Sequence, residues 1–148
     1  MTTRRTFLAG AAAITLLPFG SVEATPEALQ AAIKEIVGNG KLSEGRVIID
    51  LPPLVENGNA VPLTVSVESP MTEADFIRAI HVFNEKNPQP HVFSAWLGPR
   101  AGKAAVSTRI KLADTQKIVA IAETSDGAFW TASADVIVTI AACIEDIN

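Results

Sequence analysis

Residues 61–68 read VPLTVSVE, and their period of two decides the fold class. Val61, Leu63, Val65 and Val67 point one way; Pro62, Thr64, Ser66 and Glu68 point the other. Such alternation marks a strand with one face in a core and one in water. Ser69-Pro70 breaks it. Downstream, strand patterns recur at 76–83 (FIRAIHVF), 91–97 (HVFSAWL), 104–112, 117–123 (KIVAIAE), 129–132 and 135–140 (DVIVTI). In 104–112, Val106, Thr108, Ile110 and Leu112 share a face. Pro88 and Pro90, Gly98-Pro99 and Asp126-Gly127 punctuate the series. Upstream, 46–51 (RVIIDL) is a strand stopped by Pro52-Pro53, and Asn57-Gly58 is a turn. About seven or eight short strands at this spacing predict an all-β sandwich rather than alternating βαβ units.

One segment before the strands has a different period. In 26–38 (PEALQAAIKEIVG), Leu29, Ile33, Ile36 and Val37 fall on one helical face. Pro26 suits the first turn, Thr25 can cap it, and Gly38-Asn39-Gly40 ends it. The expected architecture is therefore one N-terminal α-helix followed by the sandwich.

Residues 2–24 (TTRRTFLAGAAAITLLPFGSVEA) combine a basic start, an apolar run over 7–19 and small residues up to Ala24. That is the pattern of a cleaved leader, and the run is too short to span a bilayer. Arg4-Arg5 resembles the twin-arginine signature, which implies export of an already folded protein to the periplasm. No cofactor site is legible, so export together with a leaderless partner is the favoured reason for that route. The expected division is leader 1–24, helix and sandwich 25–140, and a C-terminal arm 141–148.

The chain carries 12 basic and 16 acidic side chains, for a net charge of −4. Loss of the leader, which holds Arg4, Arg5 and Glu23, makes the remainder more acidic still. That balance disfavours nucleic acid and anionic membrane surfaces as partners.

Candidate chemistry is sparse. His81, His91 and Cys143 lack the paired spacing of a metal site, so none is expected. Both histidines sit in or beside strands and read as solvated or core residues. Glu73 and Asp75 read as a solvated edge, and Glu85-Lys86 as a loop charge pair. Arg100, Lys103, Arg109 and Lys111 form a basic cluster in sequence, whose functional reading is an anion-facing or partner-facing patch. No G-x-S-x-G, Cys-His motif or phosphate loop is present, and no catalytic residue is assigned.

Cys143 remains, the single cysteine of the chain. In an exported protein it has no internal partner, so it is either reactive or paired with another molecule. Its position near the chain end favours access over burial. Glu145 and Asp146 follow closely and disfavour its thiolate, which suits a passenger thiol activated inside a partner's active site better than a catalyst.

Together, several segments resemble the SoxY family of the bacterial sulfur-oxidising (Sox) system. They are Arg4-Arg5, Glu56-Asn57-Gly58, Val61-Pro62-Leu63, Glu68-Ser69-Pro70-Met71, Asn87-Pro88-x-Pro90, Thr108-Arg109-Ile110, Asp126-Gly127, and a last strand leading to Cys143. The resemblance implies an immunoglobulin-like sandwich of about seven strands, paired with a SoxZ subunit as a heterodimer or heterotetramer. It implies periplasmic thiosulfate oxidation, with sulfur intermediates held on Cys143, processed by partner enzymes and by no activity of the carrier itself. The family's arm typically reads Gly-Gly-Cys-Gly; here it is Ala141-Ala142-Cys143-Ile144. Alanine and β-branched isoleucine stiffen such an arm. The alternative reading is a non-catalytic binding or assembly module of the same complex, with Cys143 vestigial or interfacial.

Overall fold

The computed structural model describes residues 25–142. Residues 1–24, the expected leader with Arg4 and Arg5, and residues 143–148, with Cys143 and Ile144, lie outside the described residues. Helix α1 (Pro26–Val37) starts where the sequence places it: Thr25 Oγ1 accepts from Ala28 N at 3.1 Å. It stops at Gly38, whose φ of 61° suits glycine and whose N–H donates to Lys34 O at 2.7 Å. Leu29, Ile33 and Val37 are buried, while Ile36 is only partly covered at the flank of that face.

Nine strands follow: β1 (Leu42–Glu44), β2 (Val47–Asp50), β3 (Leu54–Val55), β4 (Val61–Val67), β5 (Ile77–Asn84), β6 (His91–Trp96), β7 (Ala104–Ile110), β8 (Gln116–Thr124) and β9 (Phe129–Val138). The larger sheet runs β1-β9-β8-β5-β6, with β3 also on β9; the smaller runs β2-β4-β7. Two details differ from the sequence pattern. β1 and β3 are pieces of three and two residues, too short to show alternation, held by parallel pairing with β9. The two segments expected at 129–132 and 135–140 are one strand, because Ser133 and Ala134 stay in register with Val119 and Ile118.

The core lies between the sheets. Val61, Leu63, Val65 and Val67 of β4 are all buried there, with Ile80, Val82, Ile118, Ala120 and Val136 of the larger sheet in the same cluster. Each of the valine, leucine and isoleucine side chains contributes about 1.5–3 kcal/mol by leaving water. The other face of the larger sheet is half covered by α1, whose Leu29, Ile33 and Val37 pack with Phe83 and Ile121. β5 is therefore buried on both faces, every residue but Arg78 being out of water. The result is a two-sheet, immunoglobulin-like sandwich with one N-terminal helix.

Candidate functional site

The described chain ends at one corner of the sandwich, where three distant segments meet. Ile140 O accepts from Gly58 N at 2.8 Å, Gly58 O accepts from Leu112 N at 2.9 Å, and Leu112 O accepts from Ala142 N at 2.9 Å. Thr139 N donates to Val55 O at 3.0 Å, and Thr139 Oγ1 donates to Glu56 O at 3.1 Å. The backbone is thus held past the end of β9, through Ala141 and up to the amide of Ala142. Gly58 makes this packing possible. A Cβ there would lie 2.4 Å from Leu112 O and 2.9 Å from Ala142 N, closer than real Cβ contacts come. The requirement is one of space between three backbones, so glycine's lack of a side chain is what matters.

The tether fixes the backbone up to the residue before Cys143. Reckoned from Ile140, the last residue of the expected strand, three free residues give a reach of about 10 Å. With Ala142 N held, one Cα–Cα step of about 3.8 Å separates the fixed root from residue 143. The immediate environment of Cys143 lies outside the described residues.

The histidines form a chain that the sequence did not reveal. His81 is only 1% exposed. Its Nδ1 lies 2.6 Å from Ser94 Oγ, and Ser94 Oγ lies 2.9 Å from Nε2 of the exposed His91. His81 Nε2 has no hydrogen-bond partner and is 4.0 Å from Glu123 Oε2, while Arg78 holds Glu123 Oε1 at 3.0 Å. Trp96 meets the His81 ring edge-on. Burial lowers the His81 pKa; Glu123 opposes that shift and His91 adds to it. His81 is therefore a core histidine with one nitrogen unsatisfied by direct hydrogen bonding. Finding this chain required the β5–β6 register, which places His81 opposite Ser94. Among the described residues, no three His, Cys, Asp or Glu side chains gather as a metal site.

The basic cluster divides. Arg100 and Lys103 precede β7, whereas Arg109 and Lys111 lie at its other end, about 20 Å away at strand rise. Arg109 and Lys111 line a groove of about 490 Å³ between β6 and β7, floored by Val92, Phe93, Val106 and Ile110. Glu85 and Lys86 do not form the expected pair; Lys86 Nζ is 3.4 Å from Asp114 Oδ2. Asp75 lies at a solvated edge, 3.9 Å from Arg46 Nη2.

A two-sheet sandwich holds the backbone as far as the Ala142 amide, the residue before the chain's one cysteine, and so defines a scaffold class rather than a catalytic centre. Comparison with known proteins gives the family. The profile described as "Sulfur oxidation protein SoxY" matches residues 33–143, a span that includes Cys143. The sulfur carrier protein SoxY from Chlorobium limicola f thiosulfatophilum superposes with a TM-score of 0.65 at 31% identity, covering 77% of this chain and 98% of that one. The chain belongs to the SoxY family, and its place is that of a carrier subunit of the sulfur-oxidising system rather than an enzyme of it.

The fold alone is shared more widely. Superoxide reductase (neelaredoxin) from Ignicoccus hospitalis matches with a TM-score of 0.56 at 20% identity, over 82% of this chain and 99% of that one. Superoxide reductase from Nanoarchaeum equitans matches with a TM-score of 0.53 at 17% identity, over 66% of this chain and 99% of that one. No curated protein sequence matches significantly.

Proposed function

We propose that this protein holds sulfur intermediates covalently on Cys143 during thiosulfate oxidation and presents them to partner enzymes. The observation that carries the reading is the root: a backbone pinned to Leu112 at Ala142, followed at once by the only cysteine. The family match running through Cys143 supports the same residue. A passenger thiol needs no base of its own, since partner enzymes supply activation. The reading includes export to the periplasm by the Arg4-Arg5 leader and pairing with a SoxZ-like subunit. The reading divides the chain into a leader 1–24, a scaffold 25–140 and an arm 141–148 whose first two residues are tied back to the scaffold through Ala142 N.

Intact-mass measurement of the protein from cells growing on thiosulfate tests this. Sulfur-bearing adducts are expected on the wild type, and Cys143→Ser should lose every one. A single unmodified mass under those conditions, with the serine variant functionally unchanged, would instead establish the assembly-module reading.

A further inference from the structure

Strand β7 forms one edge of the smaller sheet, and among the described residues β4 is its one strand partner. Which of its backbone groups face outward follows from the register. Pro62, the partner of Arg109, has no N–H, so that pair is not a hydrogen-bonded one. Bonded and unbonded pairs alternate in an antiparallel ladder. Ala104, Val106, Thr108 and Ile110 therefore bond to β4, while Ala105, Ser107 and Arg109 turn their N–H and C=O to the open edge. The same alternation turns Lys111 outward, and there the edge is closed. Asn87 Nδ2 donates to Lys111 O at 2.8 Å, and Asn87 Oδ1 accepts from Ala113 N at 3.0 Å. Gln116 Nε2 donates to the same Oδ1 at 2.9 Å and holds the amide in place. A side chain thus does at 111–113 what a neighbouring strand would do along 105–109, a stretch of about 14 Å at strand rise.

The surroundings of this edge say what fits it. On the inner side lies the groove between β6 and β7, with Val92, Phe93, Val106 and Ile110 in its lining, where inward side chains of an added strand would fall. At its rim stand Arg109 and Lys111. Among the described residues neither has an ion-pair partner, in a chain whose net charge is −4. A cation opposite an outward position of an added strand favours a carboxylate there. A second copy of this chain fits poorly: antiparallel pairing of two β7 edges about Ser107 would set Lys111 of each against Lys103 of the other. We infer that β7 is a docking edge for an extended segment of a partner protein, about five residues long, with apolar side chains facing the groove and acidic ones between them. Main-chain hydrogen bonds at Ala105, Ser107 and Arg109 extend the smaller sheet by one strand, and Asn87 sets where that strand stops. So small an interface suits a transient contact. The inference is independent of the chemistry at Cys143.

The test titrates the isotope-labelled full chain with two acetylated and amidated heptapeptides, one alternating valine with glutamate, the other valine with lysine. Amide shifts and hydrogen exchange are read by NMR. With the glutamate peptide, the amides of Ala105, Ser107 and Arg109 should shift and exchange more slowly, while those of Val106 and Thr108, already bonded to β4, keep their rates. The lysine peptide should bind about tenfold more weakly. Arg109→Ser/Lys111→Ser should weaken the glutamate peptide about fivefold. Ser107→Pro removes an outward N–H from an edge position, where proline is tolerated, and should abolish binding with little change in melting temperature. Equal affinity for the two peptides, binding unchanged by Ser107→Pro, or shifts centred away from β7 overturns the docking edge. So does a dimer in sedimentation that Ser107→Pro breaks, which gives the edge to a second copy. Peptide binding that appears only after removal of residues 144–148 gives it to the chain's own tail and overturns the partner segment likewise.

Discussion

At the scale of single residues, His81 couples the scaffold to pH. The ring is buried, and burial holds its pKa below the ordinary value of about 6.5. A base that protonates less readily when folded than when unfolded pulls the equilibrium toward the unfolded chain as protons bind. The stability tied to neutral His81 is thus complete above about pH 6.5 and is lost as pH falls through the lower folded-state value. Thermal melts between pH 7.5 and pH 5 should show a progressive fall in Tm, and His81→Gln should flatten it. An equally steep fall in the variant would assign the acid sensitivity to other groups. Gly58 acts through space. Gly58→Ala forces a Cβ against Leu112 O and Ala142 N, at an expected cost of about 1–3 kcal/mol for overpacking. Hydrogen exchange at the Ala142 amide should quicken more than exchange in β5 or β8; uniform acceleration would mean that the root is not locally strained.

At the scale of elements, helix α1 and the arm show what sequence can and cannot reveal. The helix was fully legible, since Thr25, Pro26 and Gly38 mark its ends and its apolar residues keep a helical period. Thr25→Ala removes the oxygen that accepts from Ala28 N and should cost about 0.5–2 kcal/mol, read as a lower denaturant midpoint. β4 was equally plain because one of its faces is buried and the other is not. β1 and β3 were invisible, as pieces that short are defined by their partner β9 and not by any period of their own. The same reason divides the site. Cys143 stood out by composition and position. The root did not, because residues 58, 112 and 142 meet only after three segments far apart in sequence have folded together. For the arm, the sequence carries an expectation: if Glu145 and Asp146 lie close to Cys143 they disfavour its thiolate. Truncation after Cys143 should therefore speed alkylation at neutral pH, with the gain shrinking at high salt. An unchanged or slower rate would contradict that electrostatic account.

At the scale of the whole molecule, the proposed carrier role separates holding from handling. The buried cluster between the sheets sets stability, and the corner at Gly58, Leu112 and Ala142 fixes the backbone up to the residue before Cys143. β9 joins the two: it pairs with β8 and with the short strands β1 and β3, then runs directly into the root. A defect deep in the core should therefore change how many molecules are folded without changing what each folded molecule presents. Leu63→Ala tests this, because Leu63 is fully buried in β4 on the strand that follows Gly58. The substitution should cost about 2–5 kcal/mol of unfolding free energy. Under strongly native conditions, however, the alkylation rate of Cys143 per folded molecule should match wild type, and so should the adduct fraction in cells after correction for protein level. A core variant that altered thiol reactivity while remaining folded would show that the scaffold tunes its cargo, and the division of labour between sandwich and arm would then have to be abandoned.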